Sequence, residues 1–178
     1  ERGKSTDEYL EIFREIWTQD VSEYSGAYSS FSNIVGLPHP KQAQLPLWIG
    51  GESAPALRRT AKLGDGWYPI GYNPRFPLDT LGRFKTRLDV LKGEAEKIGR
   101  DPQTISLAYN STWFNGPSDP VDVEGERRLF TGGVDEIKED IAGLQELGVG
   151  NLLFRFTRST MSETEDAQSS FADTFIAS

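Results

Sequence analysis

The sequence predicts an α/β fold in which parallel β-strands alternate with α-helices. Four short apolar runs alternate with four segments whose apolar residues recur at helical spacing. Continuous apolar runs are typical of parallel strands that are buried on both faces. This alternation fits either a doubly wound open sheet or part of a (β/α)8 barrel. A complete barrel has eight units in roughly 250 residues, so the four units of this 178-residue chain amount to half of a barrel.

The first 46 residues precede the alternating units. The sequence Ser5-Thr6-Asp7-Glu8 has the pattern of a capping box with Ser5 at the N-cap, which predicts a helix over 7–18. Aromatic residues on both sides of Ser25-Gly26 predict a surface hairpin over 21–31. Three prolines predict an extended loop over 33–46.

The alternating units then follow in order. Predicted strands cover 47–49, 67–70, 105–109 and 152–156. Predicted helices cover 54–63, 78–98, 134–147 and 163–176. The first three helices are expected to stop at Gly64, Gly99 and Gly148, because glycine is favoured just after a helix. A long polar loop is expected over 110–131.

Composition limits the classes of function. The net charge is −8 and no long basic cluster is present, which argues against a nucleic-acid partner. No apolar run approaches the ~20 residues of a membrane span. The chain has no cysteine and one histidine, so we expect no metal site and a cytoplasmic location. It starts at Glu1 and enters a helix at once, so we interpret 1–178 as one domain whose N-terminal half is absent.

The most informative segment lies at the end of the first predicted strand, 47–49. An apolar run stops at Gly50-Gly51, and a helix begins directly after Ser53. Free backbone N–H groups at such a helix N-terminus bind phosphate well, and glycine lets a ligand approach the backbone. We therefore predict a phosphate site at Gly50, Gly51 and Ser53. Ser53 could also serve as an N-cap that bonds its own helix.

Other polar residues in and around this segment have structural or ligand-binding interpretations. Glu52 would repel a dianion but suits the first turn of a helix, so we expect its side chain to point to solvent. Arg58 or Arg59 could reach an oxyanion or form an interhelix salt bridge. Asp65 is expected to accept backbone N–H bonds in a turn. His39 is expected at the surface.

Aromatic and polar residues at the strand ends are further candidates. Trp48 and Trp67 could form barrel core or meet a ligand, although Ile70 or Gly71 is better placed to face one. Positions after the strands supply rim candidates, which are Tyr72, Asn73, Tyr109, Asn110, Ser111, Arg155 and Thr157. No two acids stand on facing strand ends, which argues against a paired-carboxylate hydrolase.

The chain resembles the C-terminal half of the bacterial luciferase-like monooxygenase superfamily, and within it the branch that uses the deazaflavin coenzyme F-420. The matching pieces are Arg2-Gly3, Thr6–Leu10, Ile16–Thr18, Pro38–Pro40 with Gln42, Pro46–Gly51, Ala56–Arg59, Leu63–Trp67, Gly99–Pro102 and Gly132-Gly133. The block from Trp48 to Trp67 is the specific one.

The resemblance implies a (β/α)8 barrel of which this chain carries about the last four units. It also implies that a cofactor phosphate is gripped at the turn after Gly50. The residues that we assign to cofactor binding are Gly50, Gly51, Glu52, Ser53, Arg58 and Trp67. The implied cofactor is F-420, with flavin mononucleotide (FMN) as the alternative; the catalytic residues remain unassigned.

Two functions follow from the resemblance. The first is an oxidoreductase that transfers hydride, or activates dioxygen, on a small organic substrate. The second is a non-catalytic cofactor-binding half-barrel. Missing strands would expose two sheet edges, so we expect association with a second copy or with an N-terminal barrel half.

Overall fold

The N-terminal segment is a helix followed by a hairpin. The computed structural model describes residues 2–112 and 124–176. Helix α1 spans Arg2–Thr18, and strands β1 (Ser22–Ser25) and β2 (Ser30–Ile34) pair antiparallel. The hairpin prediction is therefore confirmed. None of the helices within the two described ranges is long and apolar enough to cross a lipid bilayer.

The predicted capping box at Ser5 is wrong. Helix α1 already begins at Arg2, and the Ser5 hydroxyl donates to the carbonyl oxygen of Arg2 at 3.0 Å. The Glu8 carboxylate accepts N–H bonds from the hairpin turn, at 2.7 Å from Ala27 and 3.0 Å from Tyr28. A tertiary contact has thus taken the carboxylate that the local pattern assigned to the helix N-terminus.

Four parallel strands form the sheet, and each is followed by a helix. The strands are β3 (Trp48–Gly50), β4 (Gly66–Tyr68), β5 (Ser106–Ser111) and β6 (Val149–Phe154). The helices are α2 (Ala54–Leu63), α3 (Leu81–Lys97), α4 (Val134–Glu146) and α5 (Met161–Phe175), with a 3-10 turn at Pro102–Thr104. The four predicted units are confirmed with small shifts at their ends. Within the predicted loop over 110–131, residues 113–123 lie outside the described residues.

The order of the strands decides between the two predicted architectures. Strands β3, β4, β5 and β6 pair in sequence order, and all three pairings are parallel. A doubly wound sheet reverses its strand order at a switch point, whereas this sheet does not. Four consecutive βα units with this order form a partial (β/α)8 barrel.

The hydrophobic core lies between the sheet and its helices. Trp67 of β4 stacks on Phe84 of α3 with ring centroids 5.5 Å apart, and Tyr109 of β5 meets Phe84 edge-on at 5.5 Å. Successive strand residues point to opposite faces. Trp48 and Leu153 therefore lie on the inner face of the sheet, where each is 37% exposed.

Helix α1 and the start of the sheet are joined through Asp65. Its Oδ2 accepts the N–H of Leu47 at 2.7 Å, as predicted for a turn-forming aspartate. Arg14 donates to both carboxylate oxygens of Asp65, at 3.0 and 3.1 Å, and to the Leu63 carbonyl at 2.8 Å. These contacts lie at the N-terminal ends of the strands, which in barrels serve stability rather than catalysis.

Candidate cofactor site

The turn between β3 and α2 requires glycine at one position. Gly51 has φ +102°, a backbone conformation that side chains with a Cβ rarely adopt. A Cβ atom at Gly51 would also lie 3.1 Å from the Cβ of Ala56 in α2. The chain can therefore leave the strand and enter the helix within three residues. This turn lies at the C-terminal end of β3, where active sites of (β/α)8 barrels are found.

Among the described residues, no carboxylate of the protein binds the N-terminus of α2. Its first turn has no acidic residue, and Pro55 contributes no N–H donor. Ser53 occupies the N-cap position, but its hydroxyl forms no cap hydrogen bond. Within the described residues, the N–H groups of Glu52, Ser53 and Ala54 donate to no acceptor. These donors and the helix dipole favour an anion at this point.

Two other helices show the contrast. At α4, the Glu136 carboxylate accepts the N–H of Gly133 at 3.1 Å. At α5, Glu163 accepts the N–H of Thr160 at 3.1 Å, and the Thr160 hydroxyl accepts the N–H of Glu163 at 3.2 Å. Both helices fill their own N-termini with a carboxylate, whereas α2 leaves its donors to solvent or to a ligand.

Glu52 does not point to solvent, so that prediction is wrong. The residue is only 3% exposed. Its Oε1 accepts the N–H of Ile70 at 2.7 Å, and its Oε2 accepts from Asn73 Nδ2 at 2.6 Å. The loop after β4 supplies two donors in place of water, and this explains why the carboxylate turns toward β4.

Trp67 holds the turn from the other side. Its indole Nε1 donates to the Gly51 carbonyl oxygen at 3.0 Å. The side chain is fully buried and packs toward the helices. Trp67 therefore contacts the turn through its hydrogen bond to the Gly51 carbonyl oxygen.

The two arginines of α2 have different surroundings. Arg59 forms an ion pair with Asp7 of α1 and donates to the Gly3 carbonyl at 2.8 Å, which makes it an interhelix salt bridge. Arg58 is exposed and forms no ion pair with any residue in the described ranges. Of the pair, Arg58 is the one whose guanidinium stays available to an anion.

The rim candidates divide according to strand alternation. Asn110 faces the inner side, where its Nδ2 donates to the Tyr68 hydroxyl at 3.2 Å. Tyr109, the preceding residue, is buried in the core, and its hydroxyl donates to the Leu78 carbonyl at 2.9 Å. Tyr109 is therefore not at the rim, contrary to prediction. Burial, together with the charges of Asp79 and Asp140, raises the pKa of Tyr109.

The other predicted rim residues fall in different places. Tyr72, Arg155 and Thr157 are exposed, and Ser111 is buried. Sequence reasoning missed Tyr68, which lies on the inner face at the end of β4. Its position two residues before Ile70 was a usable signal, because alternate strand residues share a face.

The sequence matches the profile of the family described as luciferase-like monooxygenase over residues 1–121. The chain belongs to this family. The family predicted from the sequence is thus confirmed, and the position of the Gly51 turn at a strand end agrees with the barrel architecture of its members.

The chain is similar to individual members of this family and to solved structures of the same fold. An uncharacterised Mycobacterium tuberculosis protein is 34% identical over 76% of this chain and 42% of its own length. The F-420-dependent glucose-6-phosphate dehydrogenase of Segniliparus rotundus is 24% identical over 86% of this chain and 55% of its own length. The structure of an F-420-dependent secondary alcohol dehydrogenase, in complex with an F-420–acetone adduct, superposes with a TM-score of 0.70 at 14% identity. That superposition covers 99% of this chain and 62% of the dehydrogenase. The chain thus spans about half the length of these relatives.

Proposed function

We propose that this chain supplies the phosphate-binding part of the cofactor site in a flavin- or deazaflavin-dependent oxidoreductase. The observation that carries the proposal is the set of backbone N–H groups at the α2 N-terminus, directly after Gly51, that have no acceptor within the described residues. Family membership supports it, because family members include oxidoreductases and monooxygenases. The substrate proposed is a small organic molecule.

The residues present fit a phosphate group. The N–H groups of Glu52, Ser53 and Ala54 supply backbone donors, and the Ser53 hydroxyl is not used by its own helix. Arg58 adds a positive charge on the exposed side of the same helix. The absence of a side chain at Gly51 keeps the approach open. FMN and F-420 both present a phosphate that such a turn would bind.

The inner face of the sheet would contact the cofactor ring. When bound, the ring system supplies the hydride or dioxygen chemistry, and the protein orients it. Ile70 lies two residues beyond β4, is 39% exposed and offers an apolar surface beside the turn. The Tyr68–Asn110 pair supplies polar groups on the same face. These side chains would position a ring whose phosphate is held at Gly51.

F-420 is the cofactor that we propose first. Two of the proteins compared above are named as F-420-dependent. FMN is the alternative, because the family is described by its monooxygenases and because either cofactor would place its phosphate at the same turn. Hydride transfer belongs with the first choice and dioxygen activation with the second.

The exposed inner face supports a second proposal about assembly. We infer that 1–178 forms a single domain, the C-terminal part of a luciferase-like barrel. Trp48 and Leu153 leave apolar surface on the inner face, and a half-barrel has two open sheet edges. An N-terminal barrel half, or a second copy of the chain, would cover both. In the alternative function, a non-catalytic half-barrel binds the cofactor and acts through such an association.

A fluorescence titration of the chain with F-420 and with FMN tests the proposal. Saturable binding of either cofactor supports it, and the tighter ligand identifies the cofactor. Sedimentation of the same sample reports whether it self-associates. Absence of binding to both cofactors, in a chain shown to be folded by circular dichroism, would contradict a phosphate site formed by these residues.

A further inference from the structure

We propose that Glu52 and Asn73 form a latch that couples the phosphate turn after β3 to the loop after β4. In this proposal Glu52 is a positioning residue, and its carboxylate does not touch the cofactor. The inference rests on the proposed function, which it deepens by assigning a role to a buried carboxylate beside an anion site.

Hydrogen bonds run without a break between the two loops. Glu52 accepts from the Ile70 N–H at 2.7 Å and from Asn73 Nδ2 at 2.6 Å. Asn73 is itself fixed by its own loop, because its Oδ1 accepts the N–H of Arg75 at 3.0 Å and its carbonyl accepts the N–H of Phe76 at 3.1 Å. Movement of the loop after β4 would therefore displace the Glu52 carboxylate.

Charge makes the position of Glu52 unusual. A buried carboxylate is unfavourable unless it is paired, and a nearby dianion increases the cost. Within the described part of the chain, no lysine, arginine or histidine forms an ion pair with Glu52. Two neutral N–H donors hold the carboxylate instead. We infer that the buried carboxylate fixes the geometry of the turn after β3, which a neutral side chain facing solvent would leave loose.

The turn is held at two neighbouring residues by the same strand and its loop. Trp67 binds the Gly51 carbonyl, while Ile70 and Asn73 bind the Glu52 carboxylate. The backbone N–H of Glu52 stays unbonded among the described residues. One residue thus leaves its N–H for the anion and turns its carboxylate away from it. The loop that carries Asn73 also carries the exposed Tyr72, so phosphate binding and the order of this rim would be linked.

An exchange of the amide and the carboxylate tests the latch directly. In Glu52→Gln, the new amide can satisfy the Ile70 N–H through its oxygen but then opposes its own NH2 group to that of Asn73. In Asn73→Asp, two carboxylates face each other. The double variant restores complementarity, because the amide introduced at position 52 would donate to the carboxylate introduced at position 73. That carboxylate would still accept the N–H of Arg75. Asp89→Asn, on the exposed face of α3, is the control for loss of a carboxylate elsewhere.

The first readout is the affinity ratio of FMN to riboflavin, which lacks the phosphate. Each single variant should weaken FMN binding by up to about tenfold, the effect of one phosphate hydrogen bond that a loosened turn no longer positions. In Glu52→Gln the removed carboxylate no longer repels the phosphate, so a loss of affinity in that variant comes from the turn and not from charge. Riboflavin affinity should change much less. The double variant should recover most of the FMN affinity, and Asp89→Asn should leave both affinities unchanged.

The second readout is hydrogen–deuterium exchange over 51–57, measured without ligand. Exchange should rise in each single variant and return toward the wild-type rate in the double variant. Equal losses for FMN and riboflavin, or a double variant no better than the worse single one, would overturn the latch. A wild-type chain that binds no FMN or F-420 would refute the proposed function, and the exchange measurement would then still decide the latch by itself.

Discussion

The indole Nε1 of Trp67 donates to the carbonyl oxygen of Gly51 at 3.0 Å, and this bond ties the second strand of the sheet to the turn that ends the first. Trp67 is fully buried, and Gly51 has a φ of +102°. A rigid core side chain therefore holds a backbone segment in a conformation that glycine alone adopts easily. The N–H groups of Glu52, Ser53 and Ala54, which have no acceptor within the described residues, follow directly after Gly51.

Replacement of Trp67 by phenylalanine tests that bond. Trp67→Phe keeps a ring against Phe84 but leaves the Gly51 carbonyl without its donor. The free energy of unfolding should fall by about 1–3 kcal/mol, and FMN affinity should fall as well. Phe84→Leu is the matched control, because it perturbs the same core without touching the turn. If both variants lose stability and only Trp67→Phe loses affinity, the bond positions the turn; equal affinity losses would contradict this.

Ser53→Ala should have little effect on stability. The Ser53 hydroxyl forms no cap bond, so the free energy of unfolding should change by less than about 0.5 kcal/mol. Thr80→Ala is the comparison, because the Thr80 hydroxyl accepts the N–H of Arg83 at 3.2 Å. That change should cost about 1 kcal/mol. Chemical denaturation of both variants checks the difference, and FMN titration of Ser53→Ala should show weaker binding in a stable protein.

The two glycines of the turn should respond differently to alanine. Gly51→Ala places a Cβ at positive φ and 3.1 Å from Ala56, so unfolding should become easier by about 1–2 kcal/mol. A Cβ at Gly50 would meet only the Tyr68 carbonyl at 3.5 Å, an ordinary contact, so Gly50→Ala should fold as the wild type does. Thermal melting distinguishes the two. A stable Gly51→Ala variant with unchanged FMN affinity would contradict the proposed site.

Arg100 is expected to support stability and not ligand binding. Its guanidinium NH1 donates to the carbonyls of Ala61 at 3.0 Å and Gly64 at 2.8 Å, which satisfies the C-terminus of α2. Arg100→Met should lower the free energy of unfolding by about 1–3 kcal/mol. Lys85→Met, which breaks the exposed pair with Asp89, should cost much less. Cofactor affinity should survive in both variants, because the site lies at the other end of α2.

Alkaline pH should reveal the burial of Tyr109. Burial raises its pKa in the folded state above the value of about 10 for an exposed tyrosine. Below pH of about 10, both folded and unfolded states keep the proton, so Tyr109 has no effect on the pH dependence. Above it, the unfolded state releases the proton first, and stability should fall as pH rises. Tyr109→Phe should make this decline shallower; an unchanged slope in denaturation from about pH 9 to 11 would contradict the assignment.

Local patterns predicted much of the fold. Helix α2 has the predicted bounds Ala54–Leu63, because its apolar spacing lies between two strong boundary signals, Ser53 and Gly64. Strand order could not be read from these patterns, since a doubly wound sheet and a half-barrel share the same alternation. Pairing in sequence order is a tertiary property that the structure supplies.

The errors have two physical causes. The position of Glu8 and Glu52 near a helix start predicts a local role for each, but both carboxylates accept N–H bonds from distant segments. The closeness of Tyr109 to a strand end predicts a rim position. Strand alternation instead points Tyr109 into the core between sheet and helices, while Asn110 lies on the inner face of the sheet. The candidate turn itself was found from sequence because glycine and serine act there through the backbone, and backbone geometry is local.

The most direct test of the phosphate site is a paired titration of the wild-type chain with FMN and with riboflavin. Binding is monitored by tryptophan and flavin fluorescence. These two ligands share the ring system and differ by the phosphate. If the α2 N-terminus binds that group, FMN should bind at least about tenfold more tightly than riboflavin, the effect of one charge-assisted hydrogen bond or more. Inorganic phosphate should then compete with FMN. Equal affinities for FMN and riboflavin, together with no competition between inorganic phosphate and F-420, would contradict the account.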